Sequence, residues 1–182
     1  MRNIRLLGLD LSLRSTGHSH AGVTGVITPS TNGVERLDEV SESIIKIISL
    51  NAIDVALIEG YSFASRSGQA FSIGELGGVV RLSLFRAGIP FVEIPPTCRA
   101  KFATGRGNAS KTEVVSSVSA RTGIIWSGKG GDDRCDAWIL EEMAQTHLGV
   151  NNYSWPSINK EGLKAVDWKQ LDVVYERIRS EE

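Results

Sequence analysis

The feature that most constrains this fold is an apolar run at the start of the chain that carries a carboxylate near its end. Residues 4–11 read IRLLGLDL, so a mostly apolar stretch of strand length delivers Asp10. Such a run is typical of a strand buried on both faces, as in the middle of a mixed sheet. A carboxylate at that depth is costly unless a positive group meets it. Asp10 is therefore either the cap of a turn or part of a charged site.

A second strand of the same kind ends in a second acid, because residues 53–58 read IDVALI and Glu59-Gly60 follows. The pattern also predicts a strand pair at 16–28, a short strand at 89–94, and helices at 34–50, 69–86, 110–121, 132–147 and 167–178. We expect a basic loop between Pro96 and Ser110. This order predicts an α/β fold with a mixed sheet and helices on both faces. Ligands of such sheets gather at the carboxyl ends of the strands.

Composition limits the class of protein. The 182 residues are 41% hydrophobic and 23% charged, which suits one main globular domain. We expect residues 1–148 to form that domain and residues 149–182 to form a C-terminal extension with a helix. No apolar run approaches the ~20 residues that span a bilayer. The start of the chain does not fit a signal peptide, and Cys98 and Cys135 form no CxxC motif. We therefore expect a cytoplasmic protein with no membrane contact.

Charge is nearly balanced overall but uneven along the chain. The net charge of −1 argues against a generic nucleic-acid binder. Residues 97–111 nevertheless hold four cations and no acid. A local basic stretch on a near-neutral protein permits phosphate contacts without strong non-specific binding. The four cations are Arg99, Lys101, Arg106 and Lys111.

Four acids from separate segments form a candidate constellation. Asp133 and Asp136 lie three residues apart on one helical face, and they join Asp10 and Glu59. Four carboxylates would repel one another unless they bound hard cations such as Mg²⁺ or Mn²⁺. Two such ions roughly 3.5–4 Å apart would cleave a phosphodiester. The alternative is that the helix dipole favours the acids near residue 133 and that Glu59 belongs to a turn.

Five motifs in series carry a resemblance to a known family. They are LGLDLSLRSTG at 7–17, LIE at 57–59, GELGGV at 74–79, the pair Lys101 and Lys111, and DRCDA at 133–137. Together they resemble the RuvC family of Holliday junction resolvases, in the RNase H-like superfamily, and its phage-encoded members in particular. The resemblance covers roughly residues 4–147. Leu11-Ser12 departs from the family's Pro-Gly, and the tail after about residue 150 has no family counterpart.

The resemblance implies an RNase H-like mixed five-stranded sheet flanked by helices on both faces. It implies a structure-selective endodeoxyribonuclease that resolves four-way and other branched DNA with paired nicks. Asp10, Glu59, Asp133 and Asp136 would hold two Mg²⁺ or Mn²⁺ ions, and Lys101 and Lys111 would lie near the scissile phosphate. Helix 69–86 resembles the family's dimer interface, which implies a homodimer.

Further residues are expected to contact DNA. The family has a stacking aromatic three residues after the second acid, where this chain has a serine flanked by Tyr61 and Phe63. Either could stack on a base or pack within the protein. The expected contacts are Arg14, Tyr61, Phe63, Arg66, Arg99 and Arg106.

Three other functions compete with this interpretation. One is an RNase H-like nuclease that acts on RNA, and another is a branched nucleic-acid binding module that does not cut. The third is an actin-like or sugar-kinase ATP binder, although the chain is short for two lobes and has no second Gly-rich phosphate loop.

Overall fold

The computed structural model describes residues 2–60 and 69–181. Its five strands form one sheet in the order β3-β2-β1-β4-β5, in which β1 is antiparallel to β2 and parallel to β4. Strand β5 is parallel to β4, and β3 is antiparallel to β2. The predicted mixed five-stranded sheet is therefore confirmed. The strands are β1 (Leu6–Asp10), β2 (Thr16–His20), β3 (Val23–Ile27), β4 (Val55–Glu59) and β5 (Phe91–Ile94).

The helices lie on both faces of the sheet, as the sequence predicts. Residues 111–122 begin with a capping box, since Ser110 and Glu113 exchange side-chain and backbone hydrogen bonds. A short 3₁₀ turn, Glu161–Leu163, links the last two helices. No helix in the described part of the chain is long and apolar enough to cross a membrane. The helices are α1 (Gly33–Asn51), α2 (Gln69–Arg86), α3 (Pro96–Thr104), α4 (Lys111–Thr122), α5 (Gly131–Leu148), α6 (Ser157–Lys160) and α7 (Lys169–Ser180).

Each face of the sheet has its own core, because side chains alternate along a strand. Leu7 and Leu9 of β1 pack with α1 and α2. Leu6 packs on the opposite face with residues of α3, α4, α5 and α7. Asp10 has the same parity as Leu6, so it faces the α5 side of the sheet. This alternation places the first acid on the same face as the helix that carries Asp133 and Asp136.

Two strand glycines let α5 lie directly on the sheet. A Cβ added at Gly8 would be 2.0 Å from the carbonyl oxygen of Ala137. A Cβ added at Gly17 would be 2.1 Å from the carbonyl oxygen of Asp133. Real Cβ atoms do not approach so closely, so a side chain at either position would push α5 away. The close approach of α5 to β1 and β2 therefore depends on the absence of both side chains.

The stretch that we expected to be a basic loop is largely helical, so that prediction is wrong. Helix α3 begins at Pro96, directly after Pro95. Proline is tolerated in the first turn of a helix, where its missing N–H would have no partner, so the proline pair starts this helix instead of preceding a loop. Within α3, Arg99 and Phe102 are buried. Only the residues between Gly105 and Ser110 connect α3 to α4.

The C-terminal extension packs on the rest of the chain and extends its core. Trp155, Trp168 and Leu171 are buried together with residues of α3 and α5. The side chain of Asn159 donates a 2.7 Å hydrogen bond to the carbonyl oxygen of Phe102. A Cβ added at Gly162 would be 2.6 Å from the carbonyl oxygen of Cys98, so the 3₁₀ turn lies directly on α3. The extension therefore packs directly against α3.

Candidate active site

Strand register brings the first two acids together. Strands β1 and β4 are parallel, and Leu9 is paired with Ile58. Asp10 and Glu59 follow these residues at the carboxyl ends of adjacent strands, as we expected. Glu59 shares the parity of Val55 and Leu57, which pack on the α5 face. Asp10 is only 8% exposed, and the side chain of Glu59 is 16% exposed.

Helix α5 supplies the other two acids to the same place. Gly17 is paired with Asp10 across β1 and β2, and it contacts the backbone of Asp133. Asp136 lies nearly one turn further along α5 and is buried. The side chain of Asp133 is more accessible, at 16% exposed. The structure therefore gathers all four predicted acids at one edge of the sheet.

The carboxylates influence one another strongly. Burial raises the pKa of Asp10 well above its usual range, and the charges of Glu59 and Asp136 raise that pKa further. Burial also raises the pKa of Asp136 to about 6, against the opposing effect of Arg99. Buried carboxylates close together resist simultaneous ionisation unless cations are present. The site therefore requires positive charge to hold Asp10 and Asp136 in their ionised form together.

Arg99 is the cation at the centre of this cluster. Its Nε donates to Oε1 of Glu59, and its Nη1 donates to Oδ1 of Asp136. The residue is 7% exposed. We had expected Arg99 to contact DNA from an exposed loop, whereas the structure buries it on α3 among the acids. The signal for this role was present in the sequence as a cation three residues after Pro96, but it is readable only once α3 is known to be a helix.

The two lysines have different positions. The Nζ of Lys111 is 3.4 Å from Oδ2 of Asp132 and 3.8 Å from Oδ1 of Asp133, and its side chain is 62% exposed. Burial lowers the pKa of Lys111, but the charges of the surrounding carboxylates outweigh this effect and raise it. The charge of Lys101 instead opposes the rise in the pKa of Cys98 and contributes to lowering the pKa of Glu161. In the described ranges no hydrogen bond or ion pair joins Lys101 to the four acids.

The turn after β1 differs from the family motif yet is well formed. Thr16 Oγ1 donates a 2.8 Å hydrogen bond to the carbonyl oxygen of Ser12 and accepts a 3.1 Å bond from the Ser12 N–H. This reciprocal pair closes the turn where the family has Pro-Gly. Arg14 projects from the turn and is exposed. With Leu11-Ser12 in place of Pro-Gly, Asp10 therefore still lies directly before a closed turn.

The remaining predicted DNA contacts divide into two groups. Arg106 is exposed on the connection between α3 and α4, where it pairs with Glu113. Tyr61, Phe63 and Arg66 lie outside the described residues, so their role stays a prediction.

The donor chemistry of the cluster suits a hard metal ion, because the four acids that meet in the described part of the chain offer carboxylate oxygens. Among residues 2–60 and 69–181, however, no three Asp, Glu, His or Cys side chains are grouped so that they could hold one ion. The Arg99 guanidinium lies between Glu59 and Asp136 instead. The acids therefore fit a metal in chemistry, while their present arrangement is organised around an internal cation.

Comparisons with known proteins identify the family of this chain. The family model described as crossover junction endodeoxyribonuclease RuvC matches residues 6–137. A protein of that name from Sorangium cellulosum is 32% identical over 152 residues, which cover 82% of each chain. Another from Synechococcus sp. (strain CC9311) is 29% identical over 151 residues, covering 74% of this chain and 93% of the relative.

Solved structures share the fold. A Thermus thermophilus RuvC in complex with a Holliday junction substrate superposes with a TM-score of 0.63 at 18% identity, covering 85% of this chain and 100% of that one. The yeast mitochondrial Holliday junction resolvase Ydc2 gives a TM-score of 0.54 at 14% identity, covering 75% of each chain. The family match spans β1 to the middle of α5 and contains all four acids. This chain therefore belongs to the RuvC family of crossover junction endodeoxyribonucleases.

Proposed function

We propose that this protein resolves four-way DNA junctions by hydrolysing phosphodiester bonds, with one nick on each of two symmetric strands. The observation that carries this proposal is the convergence of Asp10, Glu59, Asp133 and Asp136 at the carboxyl ends of β1 and β4, beside the exposed ammonium of Lys111. A carboxylate cluster open to solvent on a cationic side suits a phosphate-containing substrate. A binding module that does not cut would have no need to bury Asp10 and Asp136 at such electrostatic cost.

The four acids would hold Mg²⁺ or Mn²⁺, with two ions per site. Bound ions would activate the attacking water and stabilise the leaving oxygen. Support for this assignment comes from the carboxylate oxygens of the four acids and from the raised pKa of Asp10 and Asp136, because a bound cation would favour their ionised forms. Asp133 is the more accessible acid on α5, and Asp136 is the buried one.

Lys111 would contribute charge from the protein itself. Its ammonium stays protonated because the neighbouring carboxylates raise its pKa. A fixed cation beside a phosphate favours the more negative transition state over the ground state. Lys101 lacks this position, so we assign the phosphate-side role to Lys111. Arg14 and Arg106 are exposed around the site and would contact the DNA backbone away from the cut.

Helix α2 would pair two copies of the chain. Leu82 and Phe85 on this helix are 47% and 77% exposed, and a Cβ added at Gly78 would meet nothing within 4 Å. An exposed apolar stripe beside an open glycine lets another helix approach closely. A two-fold dimer presents two identical sites, which is what paired nicks in a symmetric junction require. We therefore propose a homodimer formed through α2.

The test is a cleavage assay on a synthetic four-way junction with Mg²⁺ or Mn²⁺. We expect paired, symmetric nicks, and we expect Asp10→Asn to lower the rate by at least ~10³-fold while junction binding is retained. Asp38→Asn is the matched control, because Asp38 is an exposed acid on α1.

Other outcomes identify the competing functions. Equal cutting of junction, flap and linear duplex would leave a general nuclease. Preferential cutting of RNA would favour the RNA-processing alternative, and binding without cutting by either metal would favour the binding module.

A further inference from the structure

A buried guanidinium occupies the space between two of the four acids. Arg99 contacts Glu59 through Nε and Asp136 through Nη1, so separate edges of one planar group hold two carboxylates. The side chain of Arg99 is 9% exposed, and that of Asp136 is 3% exposed. Water can therefore screen little of this interaction, and hydrogen bonds to charged partners are the strong ones in such surroundings. The Arg99 guanidinium is therefore the cation that both carboxylates, Glu59 and Asp136, contact.

The helix that carries Arg99 is packed by the C-terminal extension. Asn159 donates to the carbonyl oxygen of Phe102 at 2.7 Å, and Gly162 fits against the backbone at Cys98. These contacts restrain the backbone of α3 next to Arg99, so we expect displacement of Arg99 from the carboxylates to involve rotation of its side chain.

Each contact with Arg99 uses one oxygen of its carboxylate, Oε1 of Glu59 and Oδ1 of Asp136. A divalent cation bound to the second oxygens of these carboxylates would lie close to the guanidinium, and repulsion between the two cations would weaken at least one contact with Arg99. Among the described residues no three candidate ligands are grouped for one ion, and the Arg99 guanidinium lies between two of the acids.

We propose that Arg99 is an internal counter-cation that competes with divalent metal ions for Glu59 and Asp136. In the metal-free protein it neutralises these carboxylates and stabilises the assembled site. Metal binding displaces Arg99 from the carboxylates. The observed metal affinity is therefore lower than it would be without the two ion pairs, because these pairs must break. This inference rests on the metal site proposed above. Arg99 would weaken metal binding and would hold Glu59 and Asp136 together when no metal is bound.

The experiment compares Arg99→Met, Arg99→Lys and a control, Lys101→Met. Lys101 lies two residues further along α3 and loses the same charge on substitution, but it does not contact the acids. Mn²⁺ binding is measured by isothermal titration calorimetry, and thermal unfolding is followed by circular dichroism in EDTA and in saturating Mn²⁺. Neither measurement depends on DNA cleavage.

Competition predicts opposite changes in the two measurements. Arg99→Met should lower Tm in EDTA and tighten Mn²⁺ binding by at least tenfold, so that its Tm rises more on metal addition than that of the wild type. Arg99→Lys should fall between the two, and Lys101→Met should match the wild type. Unchanged or weaker Mn²⁺ binding by Arg99→Met would overturn the proposal and make Arg99 a permanent brace.

Two further outcomes are also decisive. If Arg99→Met is unfolded in EDTA, competition requires that Mn²⁺ alone restore its folded circular dichroism spectrum, and failure to do so overturns the proposal. If the wild type binds no Mn²⁺, the metal site itself is refuted, and the inference falls with it. A wild type that binds Mn²⁺ beside an Arg99→Met variant with no tighter binding refutes only the role of Arg99.

Discussion

Glu142 predicts an unusual pH dependence for the stability of this protein. Glu142 lies on α5, six residues after Asp136, and is 3% exposed. Trp155 Nε1 of the C-terminal extension donates a 2.8 Å hydrogen bond to its Oε1. Burial nevertheless raises the pKa of Glu142 to about 7, and the nearby charge of Glu141 adds to this effect. The folded protein therefore binds a proton at a pH where the unfolded chain has released it.

The sign and size of the effect follow from this difference. The pKa rises from 4.5 in the unfolded chain to about 7 in the folded protein. Each unit corresponds to ~1.4 kcal/mol, so ionising Glu142 costs the folded state up to about 3 kcal/mol. Because the pKa of Glu142 is raised in the folded protein, the stability that comes from keeping Glu142 protonated is fully present below pH 4.5. It is lost as the pH rises through 7. Glutamine resembles the protonated acid and does not titrate.

The assay is urea unfolding in EDTA from pH 4.5 to 8.5, for the wild type and Glu142→Gln. The free energies of unfolding should agree at pH 4.5, and the variant should be more stable by up to about 3 kcal/mol at pH 8.5. Glu176→Gln, at an exposed position on α7, is the control and should show a constant difference. This reasoning would be refuted if Glu142→Gln were less stable than the wild type at pH 8.5. It would also be refuted if the difference in their free energies of unfolding did not depend on pH.

Two further predictions concern packing and assembly. Gly8→Ala should lower the free energy of unfolding by about 1–3 kcal/mol in urea unfolding, since its Cβ would meet the backbone of α5. Gly60→Ala, whose Cβ would lie at an ordinary 3.6 Å from its nearest neighbour, should have little effect, and equal losses would contradict the packing argument. Phe85→Glu on α2 should convert the proposed dimer to monomers in analytical ultracentrifugation, whereas Leu50→Glu on α1 should not. A wild type that sediments as a monomer would refute the proposed interface.

The acids were predictable because their positions follow from short-range periodicity. An apolar run with a terminal acid marks the end of a central strand, and this pattern occurs at both Asp10 and Glu59. A spacing of three residues places Asp133 and Asp136 on one face of a helix. The approach of α5 to the sheet was not predictable in the same way. It depends on Gly8 and Gly17 facing the same helix, and this requires the register between β1 and β2, which a single sequence does not reveal.

The sequence alone does not show whether Arg99 or Lys101 faces the acids. The two cations are two residues apart, so on a helix they point about 200° apart around its axis and only one can face the acids. In a loop, both could reach the substrate, and the proline pair at 95–96 favoured that interpretation. Once Pro96 begins a helix, the phase of α3 decides which cation enters the cluster. Gly162 and Asn159 of the C-terminal extension, more than 50 residues away in sequence, pack against the backbone of this helix. Such long-range packing leaves no periodic signal near residue 99, so the sequence alone does not reveal that arginine is the cation that contacts the acids.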